Sequence, residues 1–324
     1  MEKRIYDAIV VGAGISGIVL ARKLKGLGQK ILVMEKSKGL GGRIATRRDG
    51  EAIYDHGAQF YKVYKNKSFE LDDLWSSKGQ VFPWFESKEH HFKCSAGGLT
   101  QIVKAIADKS EIVFEKKVHL LEDCIDLASA QVKLKVHTEA GEFYFAKSVY
   151  LTAPLPQSID ILERSGVNFS TELRQIEYAK ALVGLMEVQS TLAQVKEIKY
   201  FENVGTEIFS ISNQLSKNVS PKLVFTVVMQ PDWSEKFFDD AESQTIQKIV
   251  QSFEQYLKEL DPAARVTRSQ LKKWRYSHPQ SIHSQKFEVA GQNSNIFILG
   301  DAFGGGSIRG AIDSAESITP LPCQ

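Results

Sequence analysis

Three glycines set in Gly12-Ala13-Gly14-Ile15-Ser16-Gly17 have the spacing of a phosphate-binding turn. The first permits a tight turn, the second lets a pyrophosphate approach the backbone, and the third lets the next helix pack close to its strand. Ile15 and Ser16 open that helix, whose free amides can hold phosphate charge. Glu35, with Lys36 beside it, stands about 20 residues further on. An acid there accepts hydrogen bonds from ribose hydroxyls and disfavours a 2′-phosphate. Far along the chain, Gly300-Asp301 leads into a glycine-rich run that ends at Ala311, with Ile308 and Gly310 inside it. This is chemistry for holding a dinucleotide.

Such residues need a strand and a helix on either side. Ile5 to Val11 reads as a strand buried on both faces, and Ile18, Val19, Ala21 and Leu24 recur at near-helical spacing over Ile15 to Leu27. Gly28 ends that helix, and Lys30 to Met34 forms the second strand. Asn295 to Leu299 is a third buried-strand pattern, feeding Gly300-Asp301 and then a helix from about Gly310. Ser148 to Leu151 reads as a returning strand. Ile112 to Leu121 and Val132 to Thr138 alternate as strands, with a hairpin turn at Glu139-Ala140-Gly141-Glu142. A helix over Asp240 to Leu260 and a strand over Leu223 to Met229 fill the later stretch. The expected fold class is α/β, a Rossmann-type cofactor domain with an inserted mixed α+β substrate domain. The expected bounds are 1–60, 95–155 and 272–324 for the first and 61–94 with 156–271 for the second, with substrate in the cleft between them.

The stretch Lys38-Gly39-Leu40-Gly41-Gly42-Arg43, continuing as Ile44-Ala45-Thr46, resembles the second glycine motif of the flavin amine oxidase superfamily. The resemblance implies FAD, with Gly42 approaching the pyrophosphate closely and Arg43 as a cation on the phosphate or flavin side. It implies that Asp301 bonds the ribityl chain or pyrophosphate, and that the following helix start lies near the pyrimidine edge of the flavin, where charge grows on reduction. It also implies that the backbone at Val118 meets adenine. No cysteine lies in a recognisable flavin-attachment motif, so the FAD is expected to be noncovalent.

Within that superfamily the whole chain resembles the renalase-like branch, through Tyr54-Asp55-His56-Gly57-Ala58-Gln59-Phe60-Tyr61, Gln230-Pro231-Asp232-Trp233-Ser234 and Trp274-Arg275-Tyr276. The resemblance sets Gly57, Ala58, Gln59 and Phe60 on the cofactor. It implies oxidation of dihydronicotinamide isomers of NAD(P)H to NAD(P)+, with dioxygen reoxidising the flavin to give hydrogen peroxide. Gln59, Tyr61, Trp233, Trp274 and His278 are the substrate-cleft candidates. Trp274 and Tyr276 read equally as core aromatics, and His278, before Pro279, as a loop histidine. An oxidase of a small amine, a desaturase of an apolar substrate and a noncatalytic FAD-binding sensory protein stand as alternatives.

Composition narrows the classes further. The 324 residues are 43% hydrophobic and 25% charged with a formal net charge of +2, and the lysines and arginines are scattered among acids. No basic stripe of the kind nucleic acid requires is present. Cys94, Cys124 and Cys323 lack the spacing of a disulfide framework or a zinc site, which suits a reducing cytoplasm. His90-His91 has no ligand partners at metal-binding spacing and fits a surface hairpin. No apolar run is long enough to span a membrane. Pro320 and Pro322 stop the last helix early, so its packing under the flavin is expected to be weak.

Overall fold

A computed structural model describes residues 5–107, 110–126, 131–292 and 295–319. Pro320, Pro322 and Cys323 lie outside the described residues. In chain order the first stretch forms β1 (Ile5–Val11), α1 (Ile15–Gly26), β2 (Ile31–Met34), β3 (Thr46–Asp49) and β4 (Ala52–Asp55). Next come β5 (Tyr61–Tyr64), α2 (Glu70–Ser77), β6 (Phe82–Glu86), β7 (His90–Cys94) and α3 (Thr100–Lys104). The middle holds β8 (Glu111–Val113), β9 (Val118–Asp126), β10 (Gln131–Thr138), β11 (Phe143–Leu151) and α4 (Leu155–Arg164). Then follow β12 (Tyr178–Gln189), α5 (Ala193–Glu197), β13 (Tyr200–Val204), β14 (Ile208–Asn213), β15 (Val224–Met229), α6 (Pro231–Phe237) and α7 (Glu242–Leu260). The last are β16 (Arg265–Pro279), β17 (Glu288–Ala290), β18 (Ile296–Ile298) and α8 (Ile308–Glu316).

These elements gather into two units, one of Met1–Gly42, Val103–Glu177 and Pro279–Gln324, the other of Arg43–Ile102 and Tyr178–His278. The first unit is the Rossmann-type half. Its sheet runs β17-β18-β11-β1-β2-β8, with β18, β11, β1, β2 and β8 parallel and β17 antiparallel at the edge. An antiparallel ribbon, β9 with β10, joins it through β11. The run expected as one strand over Ile112 to Leu121 is therefore two: β8 pairs with β2, and β9 turns away to pair with β10.

Helix α8 begins at Ile308, two residues before the expected start, because the hydroxyl of Ser307 accepts from the amide of Gly310 at 3.0 Å and caps it. It ends at Glu316, yet it is well seated. Ile312, Ala315 and Ile318 are fully buried, and Lys23 of α1 donates to the carbonyls of Glu316 and Ile318, the latter at 2.8 Å. The expectation of weak packing is corrected by that cation at a helix C-terminus.

The second unit holds a five-stranded sheet, β13-β14-β15-β12-β16. Helix α7 buries Thr245, Ile249, Phe253 and Leu257, a four-residue repeat that is one helical stripe, among Leu182, Met186, Phe225 and Val227. A three-stranded sheet, β5-β7-β6, and the hairpin β3-β4 complete the unit. The expected domain bounds differ from these units over four stretches, one of them residues 272–278, which go with the second unit because β16 pairs in its five-stranded sheet. Residues 43–60 and 95–102 go with the second unit because β4 is tied to β15 and to the 214–217 loop. Residues 156–177 go with the first because α4 packs on β9. No helix among the described residues is long and apolar enough to cross a membrane.

Candidate functional site

In the first unit the glycine turn lies at the C-terminal end of β1, beside the end of β2. Gly12 has φ of 112°, a left-handed conformation natural to glycine. A methyl group on Gly17 would overlap the carbonyl oxygen of Gly12, so the helix can sit this close only without a side chain there. The flank of Gly14 is open, and Gly41 bonds back to the turn, its amide donating to the carbonyl of Ala13 at 3.0 Å. Gly42 packs beside Gly14. The first turn of α1 aims its amides into this space, because the first amides of a helix have no acceptor within it.

Ser16 sharpens the fit. Its hydroxyl is buried with no hydrogen-bond partner among the described residues. Glu35 is buried as well, its carboxylate accepting from the amides of Ala13 and Ser37, each at 2.8 Å. Its backbone is bracketed by Val113 and Lys116, so Val118, at the start of β9, follows directly on a segment that lines the acid. Lys36 turns away and donates to Gln157 at 2.8 Å. An open glycine flank, an orphaned buried hydroxyl and a held carboxylate suit the phosphates and ribose of a dinucleotide. At the other edge, the amide of Gly300 is held by the hydroxyl of Ser314 at 3.0 Å, and Gly304 and Gly306 donate to the carbonyl of Asp301. The Asp301 side chain is half-buried there, with Ile308, Gly310 and Ala311 buried in the first turn of α8.

In the second unit the segment from Asp55 to Phe60 is tied on every side. Asp55 is fully buried, and its carboxylate accepts from the amide of Leu99 (2.8 Å), the hydroxyl of Thr46 (2.7 Å) and the ammonium of Lys217 (2.9 Å). Lys217 is itself fully buried, lies 5.3 Å from the centre of the Trp84 ring, and donates to Gln59 Oε1 at 3.2 Å. The Nε2 of Gln59 donates to the carbonyls of Asp55 and Gly57, both at 2.8 Å, and its Oε1 also accepts from Gln214 at 2.9 Å. Thr226 donates to the Asp55 carbonyl at 2.8 Å. Removing one member of so buried an ion pair costs about 3–5 kcal/mol, because the other charge is left without a partner.

The turn that results is pressed against Arg43. Ala58 donates to the carbonyl of Arg43 at 2.9 Å, and a side chain on Gly57 would overlap that same oxygen. The guanidinium of Arg43 lies 5.6 Å from the centre of the Tyr178 ring and donates to the carbonyl of Ser277 at 3.4 Å. His56 stacks on Trp274, centroids 5.4 Å apart, and the Trp274 indole donates to the His56 carbonyl at 2.7 Å. Burial, with Lys272 nearby, pushes the His56 imidazole down to about 4, so it is neutral at ordinary pH.

The sequence-based substrate candidates divide. Gln59 has both its amide hydrogens and its carbonyl committed within the network, so its role is to hold the turn. Tyr61 is also structural: its hydroxyl donates to Asp72 at 2.8 Å, and burial with that acid raises its pKa well above the usual phenol range. Trp233 sits in α6, 4.6 Å from Phe237 and against the core of the second unit. Trp274 serves as the partner of His56, and His278 is exposed at the end of β16. Phe60 is half-buried, edge-on to Phe85, Phe92 and Tyr200 at 5.0–5.4 Å. Sequence reasoning missed Lys217 and Gln214. Their loop carries no local signal, and only the Asp55 they serve stood in a quoted motif.

Comparison with known proteins agrees with this geometry. Residues 10–75 match the family model for an NAD(P)-binding Rossmann-like domain, and residues 69–318 match that for flavin-containing amine oxidoreductases. The chain is similar to (S)-6-hydroxynicotine oxidase of Paenarthrobacter nicotinovorans, 51% identical over 43 residues, 13% of this chain and 10% of that protein. It is similar to protoporphyrinogen oxidase 2, chloroplastic/mitochondrial, of Arabidopsis thaliana, 34% identical over 82 residues, 25% of this chain and 16% of that protein. The chain thus spans only a small part of the length of these curated relatives. A solved structure from Exiguobacterium sp. 255-15, assigned provisionally as a protoporphyrinogen oxidase, superposes with a TM-score of 0.66 at 13% identity, covering 98% of each chain. At that identity it speaks to the fold alone.

Proposed function

This chain belongs to the flavin-containing amine oxidoreductase family and is thereby an FAD-dependent oxidoreductase; on that premise we propose that it oxidises dihydronicotinamide isomers of NAD(P)H to NAD(P)+, as renalase-like proteins do. The chemistry that bound, noncovalent FAD supplies is hydride acceptance at N5 and delivery of the electron pair to dioxygen, giving hydrogen peroxide. Ser16, the amides of the first turn of α1 and Glu35 would hold the phosphates and ribose, with Gly42, Arg43 and Gly57 to Phe60 along the cofactor, the backbone at Val118 on adenine and Asp301 with the start of α8 at the flavin end.

The observation that carries the substrate reading is the state of Lys217. An amine must lose a proton before it is oxidised, and a lysine at the flavin is a common aid. The buried lysine of the second unit is instead spent on Asp55 and Gln59. A dihydronicotinamide arrives ready to give hydride and needs only to be positioned and kept dry. Anaerobic mixing with 2- or 6-dihydroNAD(P) is expected to bleach the oxidised flavin absorbance within the mixing time. A loaded protein that stays yellow would rule the substrate out.

The half-buried rings of Phe60, Phe85, Phe92 and Tyr200 favour a second reading, oxidation of a small apolar amine or desaturation of an apolar substrate. Fast flavin reduction by such a compound, with none by the dihydronicotinamides, would select it. The spacing of Cys94, Cys124 and Cys323, which suits neither a disulfide framework nor a zinc site, supports the cytoplasm as the place of action. The seated α8 removes the motive for a noncatalytic sensory role.

A further inference from the structure

We propose that Lys217 is a positioning residue for the cofactor, acting through Gln59 to fix the Gly57–Ala58 turn against Arg43. The inference rests on the reading above that Arg43 and Gly57 to Phe60 line the FAD.

Lys217 and Asp55 satisfy each other at 2.9 Å, and the pair alone would account for a buried charge. The third member is what calls for explanation. Lys217 also donates to Gln59 Oε1, and Gln214 Nε2 donates to the same oxygen. With its carbonyl pinned by two donors, the Gln59 amide has one orientation, and its Nε2 must face the carbonyls of Asp55 and Gly57. Those two bonds close the turn from Asp55 to Gln59. The closed turn presents the amide of Ala58 and the bare face of Gly57 to the Arg43 carbonyl, a fit with no slack. Gly42, the next residue back along the chain, belongs to the glycine pair beside Gly14.

Lys217 therefore sets the position of a phosphate-binding backbone it never touches. Its charge matters because a charged donor makes a hydrogen bond roughly twice as strong as a neutral one. The face of Trp84 covers the ammonium, which leaves water no ready way to replace Gln59 as acceptor.

The test uses the full chain, stripped of FAD and titrated with FAD by quenching of flavin fluorescence. Visible circular dichroism is then recorded at saturating FAD. Lys217→Met is expected to raise the FAD Kd at least tenfold and to alter the dichroism of the flavin bands. A purely structural loss would lower the melting temperature and leave the saturated spectrum as in the parent. Because Lys217→Met strands Asp55 and can fail to fold, Gln59→Met is measured beside it. That variant keeps the ion pair and the side-chain volume but removes both halves of the Gln59 clamp. It is expected to show the same rise in Kd and the same spectral change. Parental Kd and parental dichroism in folded Gln59→Met would overturn the proposal. Failure of the parent itself to take up FAD would instead overturn the cofactor reading beneath it.

Discussion

His56 shows how one residue in a tightly held turn can carry a pH dependence that has nothing to do with catalysis. Free histidine takes up a proton near 6.5, whereas the buried, Trp274-stacked ring does so only near pH 4. The unfolded chain therefore binds the proton first as pH falls. Stability from this residue is whole above pH 6.5 and shrinks between 6.5 and 4, by about 3 kcal/mol in all at 1.36 kcal/mol per pH unit. His56→Phe, which keeps the stacking, is expected to flatten that slope in urea denaturation curves taken from pH 7 to pH 4; an unchanged slope would place the titration elsewhere. At this scale the sequence was partly legible. Gly12 and Gly17 announce themselves because each answers a local demand of backbone geometry, and Glu35 because it stands at the end of the second buried strand. The commitments of Gln59 and Tyr61 were not legible, because a sequence shows which polar atoms exist and not whether Asp72, Gln214 or Lys217 has already taken them.

Helix α8 makes the corresponding point for elements. Its early end was visible in the chain, but the remedy, a lysine from α1 nearly three hundred residues away, was not. Lys23→Met is expected to leave the carbonyls of Glu316 and Ile318 without their donor and to cost about 1 kcal/mol. Thermal melts should show this as a fall of a few degrees, and an unchanged melting point would mean that water serves those carbonyls equally well. Strands with continuous apolar runs, β1, β2 and β18, were readable because burial on both faces leaves no polar alternation. The split of β8 from β9 was not, since Phe114 to Lys117 continue a similar pattern and only pairing distinguishes them.

On the scale of the whole molecule, the chain leaves one unit for the other after Gly42, Ile102, Glu177 and His278, so neither unit is a continuous piece of sequence. A chain ended at His278 would contain all of the second unit and yet leave the first without β17, β18 and α8. Its β11 edge, Val149 to Leu151, would have no neighbour in place of Ile296 to Ile298. Such a truncation is expected to aggregate and to bind no FAD, as judged by gel filtration and flavin retention; a soluble yellow product would show that the last strands are dispensable. The same gap opens naturally during synthesis. Strand β11 leaves the ribosome well before β18 exists, and at about 5–20 residues per second the apolar edge waits roughly 7 to 30 seconds for its partner. The late pairing of β18 thus leaves an apolar strand edge open through that interval, and slower translation would lengthen the exposure.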